Sequence, residues 1–130
     1  MIRKTLMLAA AGLMTVSTVS AASALEGPAL TGKASCPPKY VCVWDNNSFS
    51  GKPKWKSEGD LNKDMRSQNG ISIFNNGRAY PGKDHIRYYY RMWSGEYARG
   101  CLHYPGDSPS TVVTWDKPVT LEYARWGGEC

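Results

Sequence analysis

The sequence predicts an all-β sandwich, and three observations predict it. Short runs of aromatic and β-branched residues alternate with Gly, Pro, Asn and Asp clusters from Tyr40 to Trp126, the pattern of strands joined by tight turns. Apolar residues nowhere keep a helical period over 11 residues. One stretch recurs: Trp44, Phe49 and Gly51 reappear as Tyr88, Trp93 and Gly95, each 44 residues further on. A repeat of that length predicts two supersecondary units, neither of which buries its apolar face alone.

The chain has 130 residues and a formal net charge of +5. Arg3 and Lys4, a largely apolar run from Leu6 to Val19 and the small residues Ala22-Ser23-Ala24 have the three-part layout of a secretory signal peptide. The run contains Thr15, Ser17 and Thr18 and is shorter than the roughly 20 apolar residues a membrane span needs. Residues 1–24 are therefore expected to be removed on export, leaving 106 residues with a charge of +3 and no membrane attachment. That charge gives a mild preference for acidic partners and does not require nucleic acid. Residues 25–35, rich in small residues and Gly, are expected to form a flexible arm, and 36–130 a single domain, monomeric by default.

Tyr40 to Trp44 has the composition of a half-buried strand, and Asp45 to Ser48 that of a turn. Gly51 offers the positive φ that a reversal requires. Pro53 to Ser57 is the expected return strand, and Leu61 to Gln68 a loop or one helical turn. Asn69-Gly70 and Asn76-Gly77, two tight-turn signals, flank a strand at Ile71 to Phe74. Further strands are expected at Ile86 to Arg91, Cys101 to Tyr104, Thr111 to Trp115 and Val119 to Trp126. The four cysteines, Cys36, Cys42, Cys101 and Cys130, read as two disulfides in an exported chain. Three pairings are open. The short Pro37-Pro38-Lys39 turn favours Cys36–Cys42 with Cys101–Cys130, closures that stabilise by about 2 and about 3–4 kcal/mol in the chain-entropy picture.

Trp44, Phe49, Gly51 and, 28 residues after Trp44, Ser72 resemble the Greek-key motif of βγ-crystallins. The resemblance implies a βγ-crystallin-like Greek-key β-sandwich of two four-stranded motifs, disulfide-stapled, in which the glycine permits a folded-over hairpin and the serine hydroxyl ties it to the next strand. The second copy matches at Tyr88, Trp93 and Gly95, with Asp116 where the serine would stand. More narrowly, Ser35-Cys36-Pro37, Tyr40-Val41-Cys42-Val43-Trp44, Phe49-x-Gly51 and Ser72-Ile73-Phe74-Asn75-Asn76 resemble secreted bacterial peptidase inhibitors of the streptomycete metalloproteinase-inhibitor family. That resemblance implies a secreted domain that presents a disulfide-restrained loop to an extracellular protease, most naturally a metalloprotease. The corresponding segment is Cys101-Leu102-His103-Tyr104 followed by Pro105, with Leu102 as the bulky apolar residue offered to the cleft. Position 106 is Gly, so the very short second disulfide loop of that family has no counterpart.

Other chemistry is less well supplied. Crystallin-type calcium sites use Asn or Asp and a hydroxyl just before the motif serine, where this chain has Ser67, Gln68, Asn69, Gly70 and Ile71, so calcium is not expected. No C-x-x-C is present, His85 and His103 are not at ligand spacing, and no metal or other cofactor is expected. His85, after Lys83-Asp84, reads as part of a solvated turn. Gly106-Asp107-Ser108 has no histidine in a matching context, and no motif with a catalytic mechanism is present. The segment Arg87 to Trp93 and a load of 15 aromatic residues support an alternative reading, a non-catalytic polysaccharide- or wall-binding module of the killer-toxin-like kind.

Overall fold

The computed structural model describes residues 30–130, and the expected signal peptide lies outside them. Eight strands follow a short 3-10 helix at Gly32–Ser35: β1 (Val41–Trp44), β2 (Trp55–Ser57), β3 (Met65–Ser67), β4 (Ser72–Asn75), β5 (His85–Met92), β6 (Tyr97–Leu102), β7 (Thr111–Val113) and β8 (Val119–Gly127). They form two four-stranded antiparallel sheets, ordered β2-β1-β4-β7 and β3-β8-β5-β6. Each half of the chain sends its third strand into the other half's sheet: β3 pairs with β8, and β7 with β4. The two-motif Greek-key sandwich is present, and its halves are interlocked.

The inner faces meet in one apolar core, with Val41, Val43, Ile71 and Ile73 from one half and Ile86, Leu102 and Leu121 from the other, each at most 1% exposed. β1 is buried on both faces. Its alternate residues Cys42 and Trp44 form a second cluster with Cys36, flanked by Tyr40, Phe49 and Phe74. The Cys36–Cys42 disulfide lies within that cluster. Part of the expected flexible arm is built into this cover. The Gly32 amide donates to the Gly51 carbonyl at 2.8 Å, and the Lys33 ammonium lies 5.5 Å from the Phe49 ring centroid.

The β1–β2 connection folds back over the sheet. Phe49 and Gly51 take φ of 55° and 74°, and the Trp44 indole N–H donates to the Gly51 carbonyl at 3.0 Å. Phe49 meets Trp44 edge-on, with ring centroids 5.2 Å apart. Ser72, fully buried, fastens the fold-over: its hydroxyl donates to the Asn46 carbonyl at 2.6 Å and accepts from the Phe49 amide at 3.2 Å. The local chemistry of Trp44, Phe49, Gly51 and Ser72 thus has a geometric reason for every residue.

The second copy is different. Trp44 pairs with Ser72 across β1 and β4, and the residues in the corresponding places on β5 and β8 are Met92 and Val119. The structural offset is therefore 48 residues at the aromatic, not the 44 that Tyr88, Trp93 and Gly95 suggest. Val119, not Asp116, occupies the serine's place and has no hydroxyl to give. Tyr88 sits mid-strand opposite Ala124, and the β5–β6 connection is a tight hairpin, with the Gly95 amide donating to the Met92 carbonyl at 2.9 Å. Trp93 is exposed. A bulge between Tyr89 and Tyr90, opposite Glu122, also shifts the register within this half.

Two further expectations need correction. The stretch expected as a loop or helical turn contains β3, whose Met65 and Ser67 turn inward while Arg66 stays exposed. Asn76-Gly77 makes no hairpin: the Asn75 side chain accepts the Gly77 amide at 2.8 Å, and the turn comes later, where the Lys83 amide donates to the Tyr80 carbonyl.

Replacing Ser72 by Ala leaves the part-buried Asn46 carbonyl without this donor and the part-buried Phe49 amide without this acceptor. The expected cost is about 1–3 kcal/mol, the usual penalty for unsatisfied buried groups. Urea unfolding checks it, and an unchanged denaturation midpoint contradicts it.

Candidate functional site

β6 carries the chain to one end of the sandwich, and residues 103–110 then cross to β7. This connection is restrained by one disulfide and two backbone hydrogen bonds. The Cys101–Cys130 disulfide joins β6 to the C-terminus. The His103 amide donates to the Pro109 carbonyl at 2.8 Å, closing the loop on itself. The Asp107 amide donates to the Tyr104 carbonyl at 3.2 Å, turning the tip. Residues 105–109 are exposed. A loop restrained in this way loses little conformational freedom when it docks.

Within the sequence-predicted segment the four residues have separate fates. Cys101 is bonded to Cys130. Leu102 lies opposite Ile86 and is only 1% exposed. Strand alternation turns it inward, so it belongs to the core and is not a side chain offered to a cleft. His103 and Tyr104 are partly buried, and both rings face the buried His85 ring edge-on, with centroids 4.6 and 5.8 Å away.

His85 is the residue the sequence reading misplaced. It is 1% exposed and stands between two partners. Its Nδ1 lies 2.6 Å from Asp84 Oδ1, and its Nε2 lies 2.8 Å from His103 Nδ1. Asp84 is itself 3% exposed, and its other oxygen accepts the Tyr80 amide at 2.9 Å. Asn75 completes the support by donating to the backbone carbonyls of Asp84 and Leu102 at 2.9 and 3.2 Å. Burial pushes the Asp84 carboxyl pKa up, but the Tyr80 and His85 hydrogen bonds and the His85 charge outweigh it and hold the group below its usual 3.8. The carboxylate can therefore hold His85 in one orientation. Exposed carboxylates surround the pair, with Glu129 Oε2 3.5 Å from His85 Nε2 and Asp107 Oδ2 4.0 Å from His103 Nδ1.

A local signal for this cluster was faint. His85 has the strand parity of the exposed Arg87, opposite to that of the core residue Ile86. It is buried nonetheless, at the place where the disulfide-held C-terminus lies across the sheet: Arg87 donates to the Glu129 carbonyl at 2.7 Å. The Asp-His dipeptide after Pro81-Gly82 was the one hint available.

The same end of the sandwich carries an open cleft of about 630 Å³ bordered by Lys39, Glu58, Asp60, Arg78, Tyr80 and Trp126, a mixture of both charges. On the outer face of the second sheet, Tyr89 stacks on Tyr97 and Tyr123 with centroids 5.0 and 5.7 Å away, and Arg99 and Arg125 lie over Tyr89 and Tyr123. These ring faces are largely taken up by one another and by guanidinium groups. At the opposite end of the sandwich, Trp93 and Trp115 are 54% and 74% exposed.

Because the folded-state pKa of Asp84 is depressed, its contribution to stability is present above about pH 3.8 and is lost as pH falls through the lower folded value. Asp84→Asn is therefore expected to be less stable than the parent at neutral pH and to show a weaker loss of stability on acidification below that point. Urea midpoints between pH 2 and 7 check this, and parallel curves for the two proteins contradict it.

Comparison with known proteins adds a family. The model for peptidase inhibitor family I36 matches residues 29–104, more than half of the chain. No curated protein and no solved structure matches it. The matched span runs from the segment before the first disulfide, through the Ser72-fastened hairpin, to the start of the β6–β7 loop. The chain belongs to peptidase inhibitor family I36.

Proposed function

We propose that this protein is a secreted, monomeric and non-catalytic inhibitor of extracellular metalloproteases, and that it presents the loop His103-Tyr104-Pro105-Gly106-Asp107-Ser108-Pro109 to the protease cleft. The observation that carries the reading is the coincidence of family membership with a loop that is exposed at its tip and tied at its base. Pre-ordering of this kind reduces the entropic cost of association. Two disulfides suit an oxidising, extracytoplasmic setting.

The preference for metalloproteases rests on Asp107. Its carboxylate is 66% exposed near the tip, and an oxygen of this type is a ligand that a catalytic zinc accepts in its open coordination position. Leu102 supports the loop from below and is not the contact residue in this account. Its burial opposite Ile86 anchors the last residue of β6 before the loop leaves the sheet.

The test is a titration of the oxidised chain against a thermolysin-like metalloprotease and, in parallel, a subtilisin. Stoichiometric inhibition of the metalloprotease alone is expected. Asp107→Lys, an exposed substitution, is expected to raise the inhibition constant at least tenfold while leaving the thermal midpoint unchanged; equal inhibition by parent and variant overturns the loop assignment. Leu102→Ala is expected to lower stability by about 2–5 kcal/mol, the range for truncating a buried leucine. Its residual inhibition should follow the folded fraction, as unfolding curves on the same samples will report.

A further inference from the structure

We infer that His85, His103 and Glu129 form a binding site for one divalent transition-metal ion, with zinc the ion of best fit, and that Asp84 orients His85 for it. The inference starts from the direction of lone pairs. His85 is buried, and its Nδ1 lies 2.6 Å from the Asp84 carboxylate. An anionic carboxylate only accepts, so the His85 proton resides on Nδ1 and the Nε2 lone pair points away from Asp84. Histidines that bind metals are characteristically held in this way, with a carboxylate on the far ring nitrogen that fixes the tautomer and raises ligand basicity.

The group that Nε2 meets is another imidazole nitrogen, His103 Nδ1, at 2.8 Å, with the two rings inclined at 75°. Without an ion, the two nitrogens share one proton, donated by His103. When an ion takes that proton's place, His103 carries its proton on Nε2 and both nitrogens point lone pairs at the metal. Zinc–nitrogen bonds of about 2.0–2.1 Å in tetrahedral geometry put the two nitrogens roughly 3.3 Å apart. The change needed is about half an ångström, at a residue that opens a loop.

A third ligand comes within reach by a side-chain rotation. Glu129 Oε2 lies 3.5 Å from His85 Nε2 and does not yet converge on His103, but its side chain is 81% exposed and free to swing. Its backbone is fixed beside the site by the neighbouring Cys101–Cys130 disulfide and by the hydrogen bond from Arg87. Cys130 Sγ also lies close to the two imidazole nitrogens, but it is committed to the disulfide and does not count as a ligand. Asp84, Asp107 and Glu129 together place three carboxylates around the two imidazoles, a field that favours a cation. Two nitrogens and one carboxylate oxygen suit zinc, and the fourth position is left to water. A bound ion would tie the base of the β6–β7 loop to the C-terminus.

The inference is independent of the inhibitor reading, since it is tested with no protease present. The oxidised chain, free of any histidine tag and stripped with EDTA, is titrated with zinc chloride by calorimetry. One ion per chain with a dissociation constant in the micromolar range is expected. His103→Ala, which removes a partly exposed ligand, is expected to weaken binding at least tenfold, and Glu129→Gln several-fold. Asp84→Asn, the positioning residue, is expected to weaken it by about 10–100-fold, the usual effect of losing such a partner. Cobalt(II) bound to the parent should show visible absorption of tetrahedral intensity, which His103→Ala should abolish. Absence of binding, or equal affinity in parent and His103→Ala, overturns the inference.

Discussion

The rest of the structure depends on an exchange of strands. Neither half of the chain completes its own sheet, because β3 is paired to β8 and β7 to β4. This makes the two halves fold as one body, with a single core drawn from both. It also sets the ends of the molecule. One end gathers the folded-over hairpin, the β5–β6 hairpin and Trp115. The other gathers the β6–β7 loop, the buried histidine and the C-terminus. The β6–β7 loop belongs to the second end because β6, an edge strand, delivers it there and a disulfide to the terminus holds it.

Two devices keep irregular backbone in place on this scaffold. At the first hairpin, the Ser72 hydroxyl meets a carbonyl and an amide at once, so that the positive-φ residues Phe49 and Gly51 are held by partners and by the Trp44 ring. At the other end, Asp84, His85 and His103 form a continuous chain of short contacts, and Asn75 bonds the strands behind them. Among the described residues, no buried side-chain polar atom lacks a hydrogen-bond partner. That matters physically, because an unpaired group in such a network costs more than a pair contributes. The loop is consequently rigid at its root and exposed at its tip.

What was legible in the sequence was local. Trp44, Phe49, Gly51 and Ser72 specify their hairpin through backbone conformation and short-range bonds, and turn residues mark most strand ends. The second motif misled because likeness of residue type at a 44-residue offset is not likeness of register: a tight hairpin and a bulge moved the structural counterpart of Trp44 to Met92. β3 escaped because three residues with two inward side chains make too short a pattern. Leu102 was offered to a cleft only by the family resemblance; the strand expected at Cys101 to Tyr104 is what the structure has at Leu102, and its pairing with Ile86 turns it inward. His85 was hardest, since its burial comes from a C-terminal tail tethered 29 residues away from Cys101. No local pattern encodes that cover.

The central claim is that the protease meets the β6–β7 end. Amide hydrogen exchange of the oxidised chain, free and bound to a thiol-free thermolysin-like metalloprotease, tests it most directly. The account predicts new protection confined to residues 103–109 and the adjoining C-terminus, with the β5–β6 hairpin around Trp93 and the turn at Trp115 unchanged. Protection at Trp93 and Trp115 with none at 103–109 would contradict it.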